Sequence, residues 1–186
     1  MVLPDPSFTD GDPGKVEFFR PDGFNKLIAD LILAWASLDS GLTFFMADLF
    51  ELPARNARIL IGNMDIKTRI ARAKTLASHA GFADFATLMA QMERQYDQAV
   101  KPRNAICHMH YFGVVPGDEV RFLFGPSKAS AGPPTQTTIL TLHRDYFAHS
   151  TRWATQRAIQ IRDVGNLLRA EPLSTWEAGR LPTLPA

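Results

Sequence analysis

The longest apolar segment of the chain, Phe24 to Leu52, constrains the fold most. Ile28, Leu31, Trp35, Leu38, Leu42, Phe45 and Leu49 recur at three- and four-residue intervals, the spacing that lines one face of an α-helix. Asp30, Asp39 and Asp48 are spread through the same segment, and each would be costly in hydrocarbon. A long amphipathic core helix is therefore expected, ending near Pro53, and no membrane span. Trp35, Phe44, Phe45 and Phe50 give it enough aromatic surface to pack on more than one neighbour, a second copy among them.

The helical pattern continues. Ala54 to Ala80 reads as a second helical region, broken near Gly62-Asn63 and stopped by Gly81. It concentrates positive charge: Arg55, Arg58, Lys67, Arg69, Arg72 and Lys74 face only Asp65, for a local +5 over twenty residues. One reading is a solvated face supported by pairs such as Asp65 with Arg69, four residues apart. The other is a rim that tracks a phosphate backbone, with Lys67, Arg69, Arg72 and Lys74 as RNA-binding candidates. A third helix starts near Ala83 and runs through Leu88, Met92, Tyr96 and Val100, with Met89 and Met92 as adaptable core filler. Pro102 then opens a short helix expected to reach Tyr111 and to close at Gly113.

Beyond Val114 the period changes to two. Val120-Arg121-Phe122-Leu123-Phe124 and Thr137 to Leu142 predict a β-hairpin within about 114–142, with a long tip rich in Gly, Pro and Ser. A last helix from Asp145 to about Arg169 follows, with Tyr146, Trp153, Ala154, Ile161, Val164 and Leu168 as its apolar stripe. Residues 1–21 read as an extended N-terminal arm, 22–170 as a helical domain carrying the hairpin, and 171–186 as a Pro-containing tail.

With 186 residues and 46% hydrophobic content the chain can build a real core. Its net charge of +1 gives no global attraction to nucleic acid, so any RNA contact has to come from a local patch. Cys107 is the single cysteine, which excludes an intramolecular disulfide framework, and no Cys/His spacing matches a metal site. A reducing cytoplasm is the expected setting. Met1 to Arg20 lacks a basic start followed by an apolar run and is not read as a signal peptide.

The chemistry-bearing stretch is Lys101-Pro102-Arg103-Asn104-Ala105-Ile106-Cys107-His108. A guanidinium can grip a phosphate oxygen bidentately, and an imidazole titrating near neutrality can move a proton to or from an attacking or leaving oxygen. Together they suit phosphoester chemistry without a metal or cofactor. Lys101 adds a cation for the same phosphate.

Arg103 to His108 resembles the Arg-x4-6-His signature of HEPN domains, including the polar residue directly after the Arg. His110 also satisfies the loose spacing and is the weaker candidate. The element order across roughly residues 22 to 170 is similar too: a mainly α, HEPN-like bundle of four to five helices with an inserted hairpin. The resemblance implies a metal-independent ribonuclease in which the RNA 2′-hydroxyl attacks its own phosphate, leaving a cyclic phosphate and a 5′-hydroxyl. It implies that Arg103 stabilises charge on the phosphorane, that His108 is general acid or base, and that Asn104 orients the site or bonds the scissile phosphate. It further implies a homodimer with a composite cleft, and by analogy a toxin or phage-defence role with an antitoxin partner.

Each role has a structural competitor. Arg103 would pair with a carboxylate, Asp39 first, since that acid borders the apolar stripe and needs a partner. Asn104 would satisfy backbone groups at a helix start, and His108 would be a core histidine. Two other functional classes follow: a HEPN-like RNA- or nucleotide-binding module without cleavage, and a helical interaction protein using Trp35, Trp153 and Trp176 as contact surface.

Overall fold

The computed structural model describes residues 7–10, 23–79, 81–115, 118–124 and 138–170. Most of the expected N-terminal arm, the hairpin tip and the tail with Trp176 lie outside them. The described residues are mainly helical, with one small antiparallel sheet. Six helices are described: α1 (Phe24–Leu49), α2 (Ala54–Ile61), α3 (Ile66–His79), α4 (Ala83–Ala99), α5 (Lys101–His108) and α6 (Asp145–Ala170). Four strands accompany them: β1 (Ser7–Asp10), β2 (His110–Val115), β3 (Glu119–Phe124) and β4 (Thr138–His143). The chain divides into two compact units, one of Met1–Leu33 with Ala99–Arg152, the other of Ala34–Gln98 with Trp153–Ala186.

The unit whose described elements are all helices is built on the stripe of α1. Leu38 and Leu42 are fully buried, and Trp35, Phe45 and Leu49 nearly so. Trp35 packs 5.5 Å from Trp153 of α6 and edge-on to Tyr96 of α4 at 5.9 Å, while Phe45 stacks on Phe85 at 5.6 Å. Such contacts add specific geometry to the area that the rings bury. Met89 and Met92 are wholly enclosed, as expected of gap-filling thioethers.

Helix ends in this unit have identifiable causes. Gly81, at φ +80°, lets the Phe82 N–H reach back to the Ala77 carbonyl at 2.8 Å and close α3. At the end of α1 the Leu52 N–H reaches the Ala47 carbonyl in the same way, with Glu51 at φ 51° in the left-handed position. The helix thus stops at Leu49, ahead of Pro53. Asp65 caps α3: its carboxylate accepts the Thr68 N–H at 2.7 Å and the Thr68 hydroxyl at 3.0 Å.

The second unit contains the sheet, ordered β1-β4-β3-β2 and antiparallel throughout. The expected hairpin is present as its inner pair, β3 and β4, with Phe122 opposite Leu140 and Val120 opposite Leu142. Two edge strands were not expected. Ser7–Asp10, within the presumed arm, pairs with β4 in the register Ser7 to Thr141. The helix expected to continue to Tyr111 ends instead at His108, because Met109 turns extended (φ −120°, ψ 157°) and the next residues join β3. Tyr111 and Val114 fit a pleated surface better than a helix, and Gly113, at φ +145°, sits at a register shift rather than at a helix stop. An aromatic cluster holds this core: Phe24 lies 5.5 Å from Tyr111 and 5.9 Å from Phe147, and Phe122 stacks on Phe147 at 6.2 Å. Ser150, fully buried on α6, donates to the Ala99 carbonyl at 2.6 Å.

Candidate active site on α5

The candidate residues sit on a helix of eight residues, separated from α4 by Val100 alone. Pro102 stands in its first turn, where the missing N–H is not needed, and the Asn104 N–H returns to the Val100 carbonyl at 2.9 Å. Pro102 and Ala105 are buried and fix the helix in its unit. Arg103 and Asn104 are half-buried, and Cys107 and His108 are exposed.

This arrangement brings three polar groups together. Arg103 Nη1 donates to Asn104 Oδ1 at 3.1 Å and stands 3.5 Å from His108 Nε2. Asn104 steadies the guanidinium, and half-burial limits its freedom, so little ordering would be left to do when an anion arrives. At 3.5 Å the imidazole edge is close enough to share a phosphate group with the guanidinium. His108 is therefore not the enclosed core histidine that its competitor reading requires. His110 opens β2 opposite Leu123 with its side chain exposed, and Lys101 is half-buried at the start of α5.

Asp39 is not the partner of Arg103. Its carboxylate accepts from Arg69 Nη1 at 2.8 Å, and the same nitrogen donates to the Asp39 carbonyl at 3.0 Å and the Thr43 hydroxyl at 2.9 Å. The Arg69 side chain is only 5% exposed. That removes Arg69 from the basic rim and replaces the expected pairing of Asp65 with Arg69. Lys67 is held by both carboxylate oxygens of Asp97 at 2.8 Å, and Lys74 pairs with Glu93. Arg72 is exposed and, among the described residues, makes no ion pair. Three of the six cations of the run, Lys67, Arg69 and Lys74, are thus held in intramolecular ion pairs. Among the described residues no three His, Cys, Asp or Glu side chains group as a metal site.

One described helix, α1, is long and apolar enough to cross a membrane, with a mean hydropathy of 1.4 in its most apolar window. Its stripe is nonetheless engaged in protein contacts, and Asp39 and Asp48 are tied to Arg69 and Arg169. Comparison with family models, characterised proteins and solved structures finds no match to this chain.

Proposed function

We propose that the chain is a metal-independent endoribonuclease of HEPN type, acting through Arg103 and His108 with Asn104 in support. The observation that carries the reading is the approach of the half-buried, amide-steadied Arg103 guanidinium to an exposed imidazole on one short helix. The RNA 2′-oxygen forms a bond to phosphorus as the P–O5′ bond breaks. One base takes the 2′-hydroxyl proton and one acid returns a proton to the 5′-oxygen, so the products are a cyclic phosphate and a 5′-hydroxyl. Arg103 meets the charge that builds on the non-bridging oxygens. His108 carries one of the two proton transfers. A homodimer with a shared cleft would supply the second from the other copy's motif, with His110 as the weaker source. Lys101 and Arg72 are the remaining candidates for backbone contacts. A cytoplasmic toxin or defence effector is the cellular setting that accords with this chemistry.

Labelled RNA incubated with EDTA tests the reading. Cleavage that depends on His108 supports the enzyme. Retention of RNA without cleavage selects the binding module, and neither result selects the interaction protein.

A further inference from the structure

Between α4 and α6 runs a set of hydrogen bonds that holds one charge and no acid. Oε1 of Gln95 on α4 accepts from the Trp153 indole N–H and from Arg157 Nη2, each at 2.9 Å and both on α6. Arg157 Nη1 donates to Gln160 Oε1 at 2.6 Å. Among the described residues no carboxylate stands within ion-pair distance of Arg157, and its Nε, shut off from water, has no acceptor. Burial pulls the guanidinium pKa below its ordinary value, with no neighbouring charge acting beside it. A cation partly drawn out of water and left without a counter-charge is costly, and an anion from outside relieves it.

The partners of Arg157 decide what the surface around it offers. An indole N–H and a guanidinium can only donate, so they turn the Gln95 and Gln160 oxygens towards themselves. The two amide NH2 groups, on exposed side chains, then have no acceptor among the described residues. What remains available is donors only: a guanidinium flanked by an amide on each terminal nitrogen. Arg94, next to Gln95 and without an ion pair among the described residues, adds a second cation on α4. Donors from three side chains on two helices outnumber the two oxygens of a carboxylate and match the several oxygens of a phosphate.

We infer that Arg157, with Gln95 and Gln160, is a binding site for a phosphate group, independent of the chemistry proposed for α5. Arg157 meets the charge and the two amides bond the remaining oxygens. A mere clamp between helices would use the same hydrogen bonds, but it would not need the acceptors to be amides. A carboxylate in place of either would hold Arg157 at least as well. An anion site cannot tolerate one, because it cancels the charge and removes two donors.

Titration of the full chain with inorganic phosphate at constant ionic strength tests it. The Trp153 indole N–H, followed by heteronuclear NMR, reports on this site because it shares the Gln95 oxygen with Arg157. In wild type that resonance should move and saturate. Gln95→Glu and Gln160→Glu should each keep or raise the melting temperature of the phosphate-free protein, yet weaken phosphate binding at least about tenfold. Gln160→Glu carries the test should Gln95→Glu fail to fold. A wild-type resonance that phosphate leaves in place, or folded variants that bind phosphate as wild type does, would overturn the assignment. Repeating the titration with oligodeoxythymidylate separates the sources: binding tighter than that of inorganic phosphate names a nucleic-acid backbone, and no gain names a free or terminal phosphate. Neither probe has a 2′-hydroxyl, so the outcome stands whether or not the chain cleaves RNA, and failure of cleavage in EDTA removes the ribonuclease alone.

Discussion

Nη1 of Arg103 lies 3.5 Å from Nε2 of His108, with the Asn104 amide oxygen 3.1 Å from the same guanidinium nitrogen. At this spacing one phosphate group can accept from the guanidinium and meet the imidazole at the same time. Arg103→Lys should therefore not rescue Arg103→Ala, because a point charge on a flexible stem reproduces neither the bidentate grip nor the bond to Asn104. RNA cleavage by the two variants, at matched folded concentration, checks this; near-wild-type rates for Arg103→Lys would reduce the Arg to a mere charge.

Among the described residues, the ion pair of Asp39 and Arg69 has the most deeply buried member. Arg69 is buried while the Asp39 side chain is 51% exposed, so losing the acid leaves a guanidinium with little access to water. Asp39→Ala should lower stability by about 1–3 kcal/mol, read as a reduced urea midpoint with an unchanged slope. No change would mean that Thr43 and the Asp39 carbonyl satisfy Arg69 by themselves.

The cap on α3 should be visible in pH dependence. Hydrogen bonds from the Thr68 N–H and hydroxyl hold the Asp65 carboxyl below its ordinary value of 3.8. A lowered folded-state value means that the stabilisation is present above 3.8 and is lost as pH falls through the folded value. Asp65→Ala should cost about 0.5–2 kcal/mol at neutral pH, and the gap between variant and wild type should narrow in acid below that ordinary value. Denaturation curves across the range decide it; a gap independent of pH would contradict the cap.

Glu51 occupies the left-handed region at φ 51°, where a Cβ is costly. Glu51→Gly should raise stability by up to about 1 kcal/mol, seen as a higher melting temperature. A lower one would show that contacts of the Glu51 side chain outweigh the backbone cost.

Local patterns made much of the fold readable. The stripe from Leu31 to Leu49 is the buried face of α1, the break at Gly62-Asn63 separates α2 from α3, Gly81 ends α3, and the two strands after Val114 pair as expected. What escaped depends on distant partners. Nothing in Ser7-Phe8-Thr9-Asp10 announces a strand until Thr141 is known to lie opposite Ser7. The short run His110–Val115 fits a helix end or a strand until β3 is beside it. Asp39 needed a cation, and both Arg103 and Arg69 were available; only folding brings Arg69 across thirty residues to meet it. The approach of Arg103, Asn104 and His108 was legible because all three lie within two turns of one helix. Whether they cut RNA is a question of chemistry that spacing does not answer.

The most direct measurement is cleavage of labelled RNA by wild type and His108→Ala in EDTA, with matched DNA as control. A general acid or base commonly contributes about 10²- to 10⁴-fold. The folded variant should lose activity by roughly that factor, wild type should leave a cyclic phosphate, and DNA should survive for want of a 2′-hydroxyl. Cleavage that appears only with added magnesium, or full activity in folded His108→Ala, would contradict the mechanism.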